Sequence, residues 1–300
     1  MSSNQREKFK TSIGGQALME GVMMRGPKVY ATAVRTPDGE IQVDVTENDL
    51  TKKWYNKVPL VRGCYSFVSS LVLGYKCLMH SAEISGELEE EEVQKSMGVI
   101  SVVAGVLAVV LSLVLFMVLP TAVVGLIQKL IPLGNFATVV ESFMKILIFL
   151  CYVLAVSQMK EIKRVFMYHG SEHKSIACYE AKMELTVENV RQFSRFHPRC
   201  GTSFLLITMI VSILVFMFVS WDDLLIRMLL KVVLLPVVVG ITYEIIRFAG
   251  RYDNALTRII SAPGLWLQRL TVLEPEDDMI EVAIASIKAV IPSEEGSDLW

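Results

Sequence analysis

The chain has 300 residues, 53% of them hydrophobic, with a mean hydropathy of +0.48 and a formal net charge of −2. That apolar content exceeds what an ordinary soluble domain carries. No basic stripe with interleaved aromatics is present, which argues against nucleic acid as a partner.

Residues 1–58 read as a small soluble module. Val29–Arg35 and residues 40–45 are β-prone runs separated by Thr36-Pro37-Asp38-Gly39, which is turn chemistry between two strands. Ile41, Val43 and Val45 alternate with Gln42 and Asp44, as a half-buried strand requires. A hairpin alone is marginal in water, so it must pack on something else. Upstream, residues 14–27 carry Gly14, Gly15, Gly21, Gly26 and Pro27. These permit tight turns that would gather Gln16, Glu20 and Arg25, or simply a packed turn with Glu20 and Arg25 paired.

Residues 59–95 follow as an interfacial segment and an acidic linker. The apolar run 64–75 is too short to span a bilayer, and Arg62, Lys76 and His80 at its margins suit an interfacial or re-entrant helix. The acidic run 87–92 reads as a solvated linker. Residues 96–160 should hold the first two membrane spans. No residue from Ser96 to Gln128 is charged, so we expect a span over 97–119 that Pro120 ends or kinks, with 123–133 at the interface. A weaker span covers 142–159. Residues 201–248 supply two more, a clean one at 201–221 and a weaker one at 224–243. Lys145, Arg227 and Lys231 near the ends of the weaker pair can snorkel to headgroups.

The connection 160–200 holds Lys160, Lys163, Arg164, Lys174, Lys182, Arg191, Arg195 and Arg199, against two basic residues in each of the turns 129–145 and 222–231. Basic loops stay cytoplasmic. The expected product is a multi-pass protein of the cell membrane with four spans and both termini inside. The first 60 residues hold no apolar signal region, so the first span must direct insertion. The five cysteines, Cys64, Cys77, Cys151, Cys178 and Cys200, are then reduced rather than disulfide-bonded. Residues 249–300 form a cytoplasmic tail. In it Ile280, Ile284, Ile287 and Val290 recur at helical spacing after Pro275, which predicts an amphipathic helix over 275–290.

The basic connection, residues 161–200, also carries the candidate chemistry. His169, Glu172 and His173 precede His197 and Cys200. Spacing of four puts His169 and His173 on one helix face, and imidazole with thiolate is a donor set that zinc prefers. The order His-x-x-Glu-His is that of the inverted zinc-protease motif, where the glutamate activates water. That chemistry needs a third ligand and an open fourth position, and Glu180 or Glu244 could supply a distant carboxylate. The alternative is a closed structural site made of His169, His173, His197 and Cys200.

The strings GGQALMEGVMMRGP, YHGSEHK, HPRCGTSF, YEIIR and LEPEDDMIEVAIASI occur in that order from about residue 13 to 290. In them the chain resembles the YqhQ family of bacterial membrane proteins. The resemblance implies a membrane protein of unknown function, described at most as a predicted metal-dependent enzyme, and implicates His169, Glu172, His173, His197 and Cys200. The family usually has an arginine before the Glu-Pro pair of the tail, where this chain has Leu273.

The expected fold is thus mainly α, polytopic, with a small β-containing N-terminal module. Two functions fit. In the first, zinc is structural and the chain is a non-enzymatic partner of other membrane proteins, of insertion or envelope machinery, or of further copies of itself. In the second it is a zinc hydrolase of peptide or lipid-derived substrates, with Glu172 as base. The sequence leans to the first, since no substrate pocket is readable in it.

Overall fold

The computed structural model describes residues 9–48, 57–86, 99–134, 136–217, 224–252, 254–294 and 296–299. The acidic run 87–92 and the span ends at 97–98 and 218–221 lie outside the described residues.

The N-terminal module is a four-stranded antiparallel meander, β1 (Gly14–Leu18), β2 (Gly21–Arg25), β3 (Val29–Arg35) and β4 (Ile41–Glu47), in that spatial order. The predicted hairpin is its β3–β4 half. The expected cluster of turns over 14–27 is corrected to a second hairpin, because Gly14, Gly15 and Gly21 sit within strands and only Met19 and Glu20 turn the chain. Glu20 takes a left-handed backbone, φ 47°, and its carboxylate accepts two 2.5 Å bonds from Arg164. Arg25 instead donates to Asn48 at 3.4 Å, so Gln16, Glu20 and Arg25 serve three separate contacts.

The sheet is the middle of three layers. On one face Val22, Met24, Ala31 and Ala33 pack against Tyr168 and Ile176 of one helix and Met279, Ile280 and Ile287 of another. On the other, Leu18, Met23 and Tyr30 pack on Leu73, Cys77 and Leu78. Completely buried side chains of this size contribute about 1.5–3 kcal/mol each. The second face belongs to α1 (Val61–Ile84), longer than the expected 64–75. Its other side exposes Val68, Leu71, Val72 and Tyr75, a surface suited to a lipid interface.

Three helices are long and apolar enough to cross a membrane: residues Gly105–Leu130, Phe136–Val156 and Leu229–Arg251. The first joins α2 (Val99–Leu113), a π-helical turn Val114–Val118 and α3 (Leu119–Leu130). Pro120 does not end it, which corrects the expected stop. Proline lacks an N–H to lose in the first turn of α3, and the π turn just before it absorbs the mismatch. The 26 residues reach about 39 Å at 1.5 Å each, so the helix fits a bilayer by tilting. The others are α4 (Phe136–Val156) and the C-terminal part of α8 (Leu224–Arg251). The fourth expected span is represented by α7 (Gly201–Phe216), apolar but only 16 residues long as described.

Lys145 and Lys231 do not snorkel outward as expected. Both pair with the buried Glu141 of α4, which also accepts from Thr121 Oγ1 at 2.9 Å. A carboxylate among apolar helices draws in cations that would otherwise reach water.

Helix α4 passes within a few residues into α5 (Lys160–Glu180), followed by the short α6 (Val187–Arg191). After α8 come α9 (Ala255–Thr271), capped by Asn254, and α10 (Asp277–Val290). The tail helix was expected, and Ile280, Ile284, Ile287 and Val290 are all buried. Its apolar face meets the N-terminal sheet, and Thr11 bridges to Leu299 beside it.

Candidate metal centre

Helix α5 is polar in composition yet buried on nearly every side, because it lies between the sheet, α10 and the 191–200 loop. Its polar side chains must therefore find partners inside. Tyr168 donates to Glu20 at 3.2 Å, and Lys174 donates to Arg191 O at 3.0 Å and pairs with Glu274. His169, Glu172 and His173 share the same interior.

Three segments position the donors. His169 and His173, one turn apart on α5, bring their ring centroids within 4.5 Å. Cys200 is the N-cap residue of α7. The Nδ1 of His169 lies 3.0 Å from Thr271 O at the end of α9, and the Nδ1 of His173 lies 2.6 Å from Arg195 O. Each Nδ1 thus donates to a carbonyl, which turns each Nε2 toward the common centre. There the His169 Nε2 stands 3.1 Å from Cys200 Sγ. The His173 Nε2 is buried with no partner. Donor atoms of His169, His173 and Cys200 all lie within 4.8 Å of one another, a spacing that could hold a metal ion.

Gly170 lets this happen. A side chain there would strike Leu273 O, and the Leu273 N–H donates to Phe166 O at 2.9 Å. The chain after α9 therefore presses on α5 and delivers Thr271 O to His169. Position 273 acts through its main chain here, which leucine serves as well as arginine.

Glu172 stands beside the group with one oxygen unmatched. It accepts from the Gly15 N–H of β1, while its Oε2 is buried without a partner. Burial pushes its carboxyl above the usual range, against the opposing pull of His169 and His173. Burial would lower His169, but the Cys200 sulfur overrides it and raises the imidazole to about 9. The same attraction overcomes burial at Cys200 and holds the thiol well below its ordinary value. Without a cation the pair is an imidazolium donating to a thiolate. The sulfur is thus already in its ligand form.

The remaining candidates point elsewhere, which corrects three expectations. His197 does not close the group: its Nε2 lies 3.7 Å from Glu180 Oε2. The buried Gln268 fixes that position, accepting from His197 N–H at 2.9 Å and donating to His197 O at 2.7 Å. Burial lowers the His197 imidazole despite Glu180. Glu180 is no ligand either, since it pairs with Arg199 and accepts the Thr11 N–H at 2.9 Å. Glu244 accepts Arg62 Nε at 2.6 Å in a two-pronged pair that joins α1 to α8. In each case an arginine satisfied the carboxylate first. All five cysteines are free thiols.

Sequence reasoning missed Gly15, Thr271 and Arg195. The last two act through carbonyls, which carry no residue signature. Gly15 had a legible signal in the paired glycines, which we assigned to a turn.

Several comparisons bear on this arrangement. The family described as "Protein of unknown function (DUF1385)" matches residues 58–293. A Bacillus subtilis (strain 168) protein described as "Uncharacterized protein YqhQ" is 37% identical over 306 residues, covering 98% of this chain and 96% of its own. That similarity takes in the N-terminal sheet. No solved structure matches. With a matching family over most of the chain and a relative of this identity over nearly all of it, the chain belongs to the YqhQ-like, DUF1385 family of proteins.

Proposed function

We propose that the chain is a zinc-dependent hydrolase at the cytoplasmic surface of the bacterial cell membrane. Three things support the hydrolase over a purely structural site. His169, His173 and Cys200 are the only three donors of the predicted set that meet among the described residues. Their soft and borderline character suits zinc. Three protein ligands leave a coordination position open, as catalytic zinc sites do, and His197 stays away from it. The single observation that carries the reading is the unmatched Glu172 Oε2 beside the unmatched His173 Nε2. Buried polar atoms are nearly always paired, so two such atoms at one place ask for an occupant.

In this reading the bound ion supplies Lewis acidity toward the substrate carbonyl. The Thr271 and Arg195 carbonyls fix the imidazole tautomers. Glu172, anchored by Gly15, takes the proton of the attacking water on Oε2 and passes it to the leaving group. The surrounding helices keep bulk water out.

Glu172→Gln tests this directly. The amide should retain zinc and the melting temperature yet fail to complement a deletion strain, since it cannot accept a proton. Normal complementation would remove the hydrolase and return the chain to a partner role. Orientation is checked separately with a cysteine at the exposed Glu184. An impermeant maleimide should label it only after the membrane is opened, as the basic residues of 160–200 require.

A further inference from the structure

Strand β1 is the outer strand of the sheet. The two-residue turn at Met19-Glu20 makes Gly14, Gln16 and Leu18 the residues that exchange hydrogen bonds with β2. Gly15 and Ala17 therefore direct their N–H and C=O groups away from the sheet. The Gly15 N–H is taken by Glu172. The Gly15 C=O and both main-chain groups of Ala17 meet no further strand among the described residues. Such a row of open groups is a template for another chain. Its position is unusual, because Gly15 is exposed although it touches the buried Glu172. A Cβ there would stand 2.6 Å from Met23 O and 3.0 Å from Glu172 Cδ, while Gly14 has open space around it. The strand is bare where it passes the carboxylate.

We propose that β1 is a docking edge for an extended polypeptide, which adds to the sheet as a fifth strand and lays a carbonyl beside Glu172, His169, His173 and Cys200. This rests on the hydrolase reading and makes the substrate a peptide amide rather than a lipid ester. A guest strand held by both Ala17 groups places its next outward residue opposite Gly15, the residue bonded to Glu172. Main-chain bonds supply the affinity in such strand addition. In the reaction, the oxygen of one water joins the carbonyl carbon and the C–N bond breaks. The proton accepted by Glu172 leaves with the amine, giving one carboxylate and one amine.

The test uses the full chain, zinc-loaded and in lipid nanodiscs, as Glu172→Gln so that binding is read without turnover. The probe is fluorescein-labelled, reduced and carboxymethylated α-lactalbumin, which is unfolded. Hydrogen exchange at the Ala17 amide should slow about tenfold or more at saturating probe. Ala17→Pro removes one outward donor without touching the β1–β2 ladder, as edge strands allow. It should keep zinc and weaken probe binding by about tenfold, roughly 1.4 kcal/mol. Unchanged Ala17 exchange, absence of probe binding, or unchanged affinity in folded Ala17→Pro would each overturn the docking edge. Wild-type protein that protects Ala17 but leaves the probe intact supports the edge and defeats the hydrolase reading. Wild-type protein that hydrolyses esters of phosphatidylglycerol vesicles without protecting Ala17 defeats the edge alone.

Discussion

Two clusters of buried polar side chains stand in this protein, and they differ in completeness. Around Glu141, two lysines and a threonine hydroxyl surround one carboxylate and close the cluster. Around His169, His173 and Cys200, a ring nitrogen and a carboxylate oxygen remain unmatched. A closed cluster among apolar helices reads as a device for holding helices together. An open one, at the meeting of α5, α7 and α9, reads as a place for something that binds. The lesson is that burial of charge does not mark function; unfinished bonding does.

The largest expected effect breaks the open cluster. Cys200→Ala or His173→Ala should drop zinc from about one ion per chain to near none, measured by elemental analysis of purified protein. Retention of full zinc in both variants would end the shared site.

Next comes the closed cluster. Lys231→Met leaves Glu141 short of one partner in an apolar setting, where losing half of a buried pair costs of order 3 kcal/mol. The melting temperature should fall while zinc content per folded chain stays unchanged. Zinc loss equal to that of Cys200→Ala would join two clusters that the structure keeps apart.

A smaller effect sharpens the boundary of the open cluster. His197→Ala should keep zinc, because its ring faces Glu180. Loss of zinc there would restore the four-ligand closed site.

The smallest is a pH effect. Burial would raise Glu180, but His197 and Arg199 together hold it below the usual carboxylate range. A lowered folded value gives stability that is present above the unfolded value of about 4.3 and lost as pH falls through the folded one. Glu180→Gln should flatten the acid limb of a thermal-melt series. An unaltered limb would show that the pair contributes nothing to acid stability.

Much of this was legible in the sequence, for identifiable reasons. Apolar runs of membrane length, the β3–β4 turn chemistry and the tail helix rest on local periodicity, which a sequence displays openly. His169 and His173 share a face because helical spacing requires it. The fate of His197, Glu180 and Glu244 was not legible, since each depends on an arginine or glutamine that is distant in sequence or competes locally. Arg62 reaches Glu244 across 182 positions, and Gln268 fixes His197 across 71. The β1–β2 hairpin was hidden because glycines that mark turns also mark strands pressed against neighbours.

The tail helix that covers the sheet has a temporal consequence. Met279, Ile280 and Ile287 complete a core begun by Val22 and Met24 more than 250 positions earlier. Chain synthesis delivers the sheet first and its cover last, after every apolar helix between them. Contacts of such sequence separation form late. The nascent module therefore waits, half-built, for the far end of its own chain, and the histidines of α5 gain their framework only once membrane insertion is over. Order of manufacture is thereby written into topology: the part that could react is finished after the part that anchors it.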